Sequence, residues 1–221
     1  MSEHHLLFAV PVLNRYDLLD NLLVSLNYSS VLPHEAMVID NGVGRNWFKG
    51  FLEYDFHVIS PKRNLGVASS WNLALHASKD LLIISNDDVV IGKDTIKNLL
   101  EHAESFPTCY LFTTGGIGFS LFLIRRKALF EVGSFDENLW PAYFEDGDYA
   151  YRLKLLGHPH IDVPNGGAIH HGSSTNKMKS AADIELHHRQ FRANQDYYIA
   201  KWGGGPHHEK FLSPFNRDNH G

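Results

Sequence analysis

Cysteine is nearly missing from this chain of 221 residues: Cys109, in the apolar stretch CYLF, is the only one. A single thiol excludes any disulfide within the chain and suits a reducing compartment, so a cytoplasmic location is expected. Long apolar runs are missing too. None approaches the roughly 20 residues that span a bilayer. The start MSEHHLLFAV has neither the basic flank nor the cleavage site of a signal peptide. An excess of positive charge is the third absence. With 20 Lys and Arg against 25 Asp and Glu, the net charge of −5 offers no polybasic surface for nucleic acid or an anionic membrane. A peripheral membrane contact stays open. Glycine-rich phosphate loops are absent as well. Neither G-x-G-x-x-G nor G-x-x-x-x-G-K occurs, which disfavours a Rossmann dehydrogenase or a P-loop kinase.

What is present has the profile of a soluble globular protein, with 43% hydrophobic and 20% charged residues. Short apolar runs alternate with amphipathic stretches, and each run ends in polar residues. LLFAVPV (6–12) is followed by Asn14 and Arg15, then by a helix carrying Leu18, Leu19, Leu22, Leu23 and Leu26 on one side. AMVI (36–39) ends in Asp40, Asn41 and Gly42, and HVIS (57–60) runs into PKRNLG and a helix over about 68–78. LLIIS (81–85) ends in Asn86, Asp87 and Asp88, and a helix is expected over 93–106 with Ile96, Leu99, Leu100 and Ala103 at helical spacing. Such strand–helix alternation predicts an α/β fold, a mainly parallel central sheet with helices on both faces, joined by a small second sheet and a C-terminal helix. Ligands bind such sheets beyond the carboxyl ends of the strands, so Pro11, Asp40, Asn64, Asp87 and Asp88 are expected to share one crevice.

The second half reads as strands at 109–116 and 119–126, a short helix KALFEVG, and a loop leading into a helix over 135–157. Two short strands, HIDVP and GAIHHG, follow, and then a polar helix from about Ser180 to Trp202. No repeat, low-complexity tract or linker interrupts the chain. A single domain over 1–221 is expected, with a nucleotide-type half (1–115), a half completing the site (116–202) and a C-terminal tail (203–221). The tail carries too many aromatics to hang in water. It reads either as a structural strap or as a lid over bound ligand.

Two acidic segments stand out. Asp87 and Asp88 are adjacent carboxylates that repel each other, which a cation would relieve and a solvated turn would tolerate. On the helix after FEDGD, Tyr149, Leu153 and Leu156 form an apolar stripe, and one turn back lies Asp146. Asp146 is therefore expected to point inward at the helix N-terminus, whose dipole keeps a carboxylate ionised as a general base must be. Asp148 is expected to pair with Arg152 on the surface, and Glu145 to be either a helix-end charge or a second member of the pair.

In their order, these segments resemble the inverting glycosyltransferases of family 2. Those enzymes adopt the GT-A fold and move a sugar from a nucleoside diphosphate to an acceptor. VPVLNR resembles the first strand end, VIDNG the second, and RNLGVASSWNLAL the Asn-x-Gly segment with a later Asn. NDD stands at the metal-binding Asp-x-Asp position, with Asn in place of its first Asp. FEDGDYAYRLKLLG stands at the Glu-Asp catalytic segment, and HHGSS at a late histidine. The resemblance implies that Pro11, Asn14, Arg15, Asp40, Asn64, Gly66, Asn72, Asn86 and Asp87 hold the nucleotide-sugar. Asp88 and His170 would bind Mn2+ or Mg2+, the imidazole tilting preference toward manganese. His171 would face the other way on a strand. It also implies that Asp146, beside Glu145, deprotonates the acceptor hydroxyl, and that Trp140 and Tyr143 stack on a sugar unless they merely pack the lobe interface.

The missing glycine-rich N-terminal loop argues against the sugar nucleotidyltransferases of related fold. A UDP-sugar is the favoured donor, with GDP- and dTDP-sugars open, and the acceptor is a glycan, a lipid-linked or a protein hydroxyl. A non-catalytic nucleotide-sugar-binding module and a donor hydrolase are the alternatives.

Overall fold

The run LLFAVPV forms strand β1 (Leu6–Val12), buried throughout except at Pro11. That is the pattern of a central strand covered on both faces. The computed structural model describes residues 4–42, 54–164, 167–172 and 181–219. After β1 come helix α1 (Tyr16–Asn27), strands β2 (Glu35–Asp40) and β3 (Asp55–Ile59), helix α2 (Gly66–Ala77) and strand β4 (Leu81–Ser85). Strand β5 (Val89–Val90) and helix α3 (Thr95–Ser105) complete the first half. The second half holds β6 (Leu111–Thr114), β7 (Gly118–Arg125), α4 (Lys127–Glu131), α5 (Glu145–Leu155), β8 (Ile161–Val163), β9 (Ile169–His170) and α6 (Ala181–Trp202).

The sheet order is β3-β2-β1-β4-β7-β6-β8. Strands β3, β2, β1 and β4 run parallel, as the alternation of strands and helices requires. The sheet is mainly parallel, as expected, and departs from it in the second half: β7 lies antiparallel to both β4 and β6, and β8 is parallel to β6. The cause is local. Only residues 115–117 join β6 to β7, too few for a parallel crossover, and Gly116 and Gly118 take the positive φ that this tight return needs. A separate two-stranded sheet pairs β5 with β9.

Alternate residues of β1 serve the two faces. Leu6, Phe8, Val10 and Val12 pack with Leu19, Leu22, Leu23 and Leu26 of α1 and with Ile96, Leu99 and Ala103 of α3. Leu7 and Ala9 pack with Trp71, Ala74 and Leu75 of α2 and with Tyr149 and Leu153 of α5. Helix α6 docks on α5 through a smaller core of Tyr151, Tyr198 and Trp202. Beyond it the chain turns back: the amides of Lys210 and Phe211 donate to the Trp202 carbonyl at 2.9 and 3.0 Å, and Tyr151 Oη donates to the Phe211 carbonyl at 2.9 Å. The last two residues of the expected tail, the Ser-Ser of HHGSS and the expected helix start at Ser180 lie outside the described residues.

Candidate active site

The carboxyl ends of β1, β2 and β4 form one rim. Val12 is paired with Asp40 and Pro11 with Ile39, while β4 accompanies β1 only as far as Ala9. Pro11 thus sits where the strand has outrun one neighbour, and its missing N–H is harmless on that side. Asp40 is buried; its Oδ1 accepts from Tyr16 Oη at 2.7 Å and from the Gly42 amide at 3.1 Å. Its Oδ2 is buried too and meets no partner among the described residues. Gly42 is required here, because an added Cβ would lie 2.0 Å from the Leu13 carbonyl oxygen. Asn64 Oδ1 accepts from the Gly66 amide at 2.8 Å, and neighbouring Asn41 accepts from the Leu65 amide at 2.9 Å, so the start of α2 is fixed to the same rim. Asn14 is exposed.

At the end of β4 the acidic pair is gathered rather than splayed. Asp88 is buried and its Oδ1 lies 2.9 Å from His170 Nε2, with His170 Nδ1 3.2 Å from Ser120 Oγ. Strand pairing of Val89 with His170 delivers the imidazole, while exposed His171 meets Asp88 only through its backbone amide. Burial, with the charge of Asp88 adding to it and Arg15 opposing, pushes the Asp87 carboxyl up to about 7. The Arg15 guanidinium forks onto Asp17 at 2.9 and 2.7 Å, and the charges of Asp87 and Asp88 reach it as well. Asn86 is half-buried and its amide donates to the Ser120 carbonyl at 2.8 Å.

Asp88, His170 and Asp87 are the groups here that could hold a divalent cation. Among the described residues no group of three or more His, Cys, Asp or Glu side chains is placed to hold a metal ion.

The loop before α5 meets the start of α2. The Pro141 carbonyl accepts from the Val67 amide at 2.8 Å, and a Cβ on Gly66 would strike Trp140 Cδ1 at 2.7 Å. Here the expected facing is corrected. Glu145, not Asp146, points inward: Glu145 is 6% exposed, whereas Asp146 is half-buried with its Oδ1 accepting from the Gly147 amide at 2.7 Å. Burial first, and then the charge of Asp146, push the Glu145 carboxyl up to about 8. Asp148 does pair with Arg152, at 2.9 Å, but in the interior instead of on the surface, because Trp202 Nε1 also donates to it at 2.8 Å. Leu156, expected in the buried stripe, is exposed.

The remaining expected contacts separate. Asn72 does not offer its amide to the rim. Its Nδ2 donates to the Phe135 carbonyl and Glu137 Oε1 at 2.9 and 2.8 Å, and its Oδ1 accepts from the Phe135 amide at 2.7 Å, clamping α2 to the loop before α5. Trp140 is 46% exposed beside Gly66, while the exposed Tyr143 leans on Phe191 and His187 of α6. Tyr16, Asn41, Ser120 and the α6 residues Asn194, Lys201 and Trp202 support the site without having been foreseen. Each acts across a long stretch of sequence, where no local spacing announces it.

Comparison with known proteins bears on what such a rim serves. A stretch of 75 residues, 34% of this chain, is 33% identical to the N-acetylglucosaminyl-diphospho-decaprenol L-rhamnosyltransferase of Mycobacterium tuberculosis, and covers 24% of that relative's length. The fold is similar to a mannosyltransferase from Pyrobaculum calidifontis solved with GDP-Man and Mn2+. The TM-score is 0.63 at 17% identity, over 74% of this chain and 55% of that one. It is also similar to glucosyl-3-phosphoglycerate synthase from Mycobacterium tuberculosis, solved with Mn2+, UDP and glucosyl-3-phosphoglycerate. There the TM-score is 0.59 at 14% identity, over 87% of this chain and 79% of that one. These likenesses are of fold, and the fold is the GT-A type. The family model for glycosyl transferase family 2 matches residues 8–178, from the first strand to beyond β9, and the chain belongs to that family.

Proposed function

We propose that the chain is a metal-dependent, inverting glycosyltransferase. It would move a sugar from a nucleoside diphosphate, a UDP-sugar first, to a hydroxyl of a glycan, lipid-linked or protein acceptor. The observation that carries the reading is the Asp87–Asp88 end of β4 against His170, in a chain that also holds the buried Glu145 beside Asp146. Pro11 and Asp40 lie where a nucleoside would rest, and the unpartnered Asp40 Oδ2 is an acceptor suited to a base N–H or a ribose hydroxyl. A divalent cation, manganese or magnesium, held by Asp88 and His170 would neutralise the diphosphate as charge builds on it. The single buried cysteine suits a cytoplasmic setting. Among the described residues no helix is long and apolar enough to cross a membrane.

Within the acid pair the roles divide by environment. Burial pushes the Glu145 carboxyl up to about 8, which favours its protonated, hydrogen-bond-donating form near neutral pH, whereas Asp146 is half-buried. Asp146 therefore takes the proton of the acceptor hydroxyl while that oxygen bonds to the anomeric carbon. The bond from that carbon to the diphosphate breaks, and the nucleoside diphosphate leaves with the electron pair. One displacement inverts the anomeric centre. Trp140 offers its exposed ring to the acceptor sugar.

A panel of UDP-, GDP- and dTDP-sugars in manganese, with and without acceptor glycosides, tests this reading. Asp146→Asn should keep donor affinity while transfer falls on the order of 10²- to 10⁴-fold. Consumption that ignores the acceptor would make the chain a hydrolase. Binding without consumption would make it a non-catalytic module, and equal loss of donor affinity in Asp146→Asn would move the base elsewhere.

A further inference from the structure

Helix α6 buries polar side chains that its docking on α5 does not require. Asn194 is 4% exposed, and its Nδ2 donates to the carbonyls of Ala142 at 2.8 Å and Tyr143 at 3.4 Å. Those carbonyls belong to a strained stretch. Tyr143 and Phe144 have φ of 80° and 74°, the left-handed region that bulky side chains avoid, and Glu145 and Asp146 follow directly. Such backbone persists only where its surroundings hold it, and the rest of the hold also comes from α6. The Tyr143 ring meets Phe191 at 5.2 Å, and the Phe144 ring meets Phe191 at 5.1 Å and Tyr198 at 5.6 Å. On the far side of the pair, Trp202 Nε1 reaches Asp148 at 2.8 Å, and Lys201 Nζ joins Asp148 and Asp136 at 2.5 and 2.7 Å. One helix thus grips the acid pair from the residues before it and from the residue after it.

We propose that Asn194 is a positioning residue for Glu145 and Asp146. Its amide holds the left-handed turn that aims the pair, and Trp202 with Lys201 fixes the same helix at Asp148. What the pair does rests on the transferase reading; that α6 holds it does not.

Two variants of the full chain test this. Asn194→Asp keeps the shape but turns a donor into an acceptor against two carbonyls, and Trp202→Phe removes only the indole N–H and some ring area. Hydrogen exchange is read on the peptide covering 140–150, together with kcat and donor affinity. Both variants should speed exchange at 140–150 while the β1, β2 and β4 peptides keep their protection. They should lower kcat on the order of 10²-fold, the cost of a small misplacement of reacting groups, with donor affinity unchanged. Unchanged exchange at 140–150, or unchanged kcat in a variant that is only less heat-stable, would overturn the proposal. If exchange rises as expected but the wild type consumes no sugar nucleotide, the grip of α6 stands and the transferase reading fails.

Discussion

Glu145 is the side chain on which burial acts most plainly. Its carboxyl, ordinarily near 4.5, is pushed up to about 8, and its buried Oε2 meets no partner among the described residues. Between those two pH values the folded chain keeps a proton that the unfolded chain has released. The stability this proton confers is complete below about pH 4.5 and is lost as pH rises through about 8. Glu145→Gln carries no such proton. It should therefore gain on the wild type as pH rises from about 4.5 to about 8 and be the more stable form at pH 8, because the amide has no proton to lose. The gap should close toward pH 4.5. Urea unfolding across that range measures it, and a variant less stable than wild type at pH 8 would contradict it. At this scale the sequence spoke clearly where chemistry is local. Asp87 and Asp88 end an apolar run, whereas the His170 beside Asp88 was suggested only by the family resemblance. It was silent where partners are remote: nothing near Asn72 signals the loop at Phe135, and nothing near Asp40 signals Tyr16 as its donor.

Helix α5 shows why an element can be placed correctly and turned wrongly. A helix has 3.6 residues per turn, so one turn back from Tyr149 is either Asp146 at three residues or Glu145 at four. The sequence allows both steps. The structure takes the longer one, because the left-handed Tyr143 and Phe144 set the phase of the first turn and α6 claims Asp148 for the interior. Neither cause is visible from residues 145–156 alone.

The tail packs back onto α5 and α6. Its hydrogen bonds run to Trp202, Tyr151 and Tyr198, the last accepted by Glu209 Oε1 at 2.6 Å, and Phe211 fills the space beside Gly203. These contacts describe a strap over α5 and α6. Deleting residues 204–221 should lower the melting temperature by several degrees, an effect on the order of 1–2 kcal/mol. The ratio of donor hydrolysis to transfer should stay as in wild type. A rise in that ratio with the fold intact would make the tail a lid.

For the molecule as a whole, parallel strands explain why so much of the site was readable. Where β1, β2 and β4 run in one direction, the polar residues that end each run must meet on one edge. The antiparallel β7 was not readable in the same way, because the residues of a strand show its burial but not its direction, and only the short return from β6 reveals it. The two halves carry different groups. The parallel half carries Pro11, Asp40, Asp87 and Asp88 at its strand ends, and the second half carries Glu145 and Asp146 at the start of α5.

On the proposed reading, this rim binds a sugar nucleotide through a cation at Asp88 and His170. Calorimetric titration of UDP-, GDP- and dTDP-hexoses into wild type and Asp88→Asn, in manganese and in excess chelator, tests it most directly. At least one donor should bind saturably to the wild type in manganese. That binding should be weakened at least about tenfold, or about 1.4 kcal/mol, both by chelator and by Asp88→Asn. Equal affinity under all those conditions, or no binding of any donor, would contradict it.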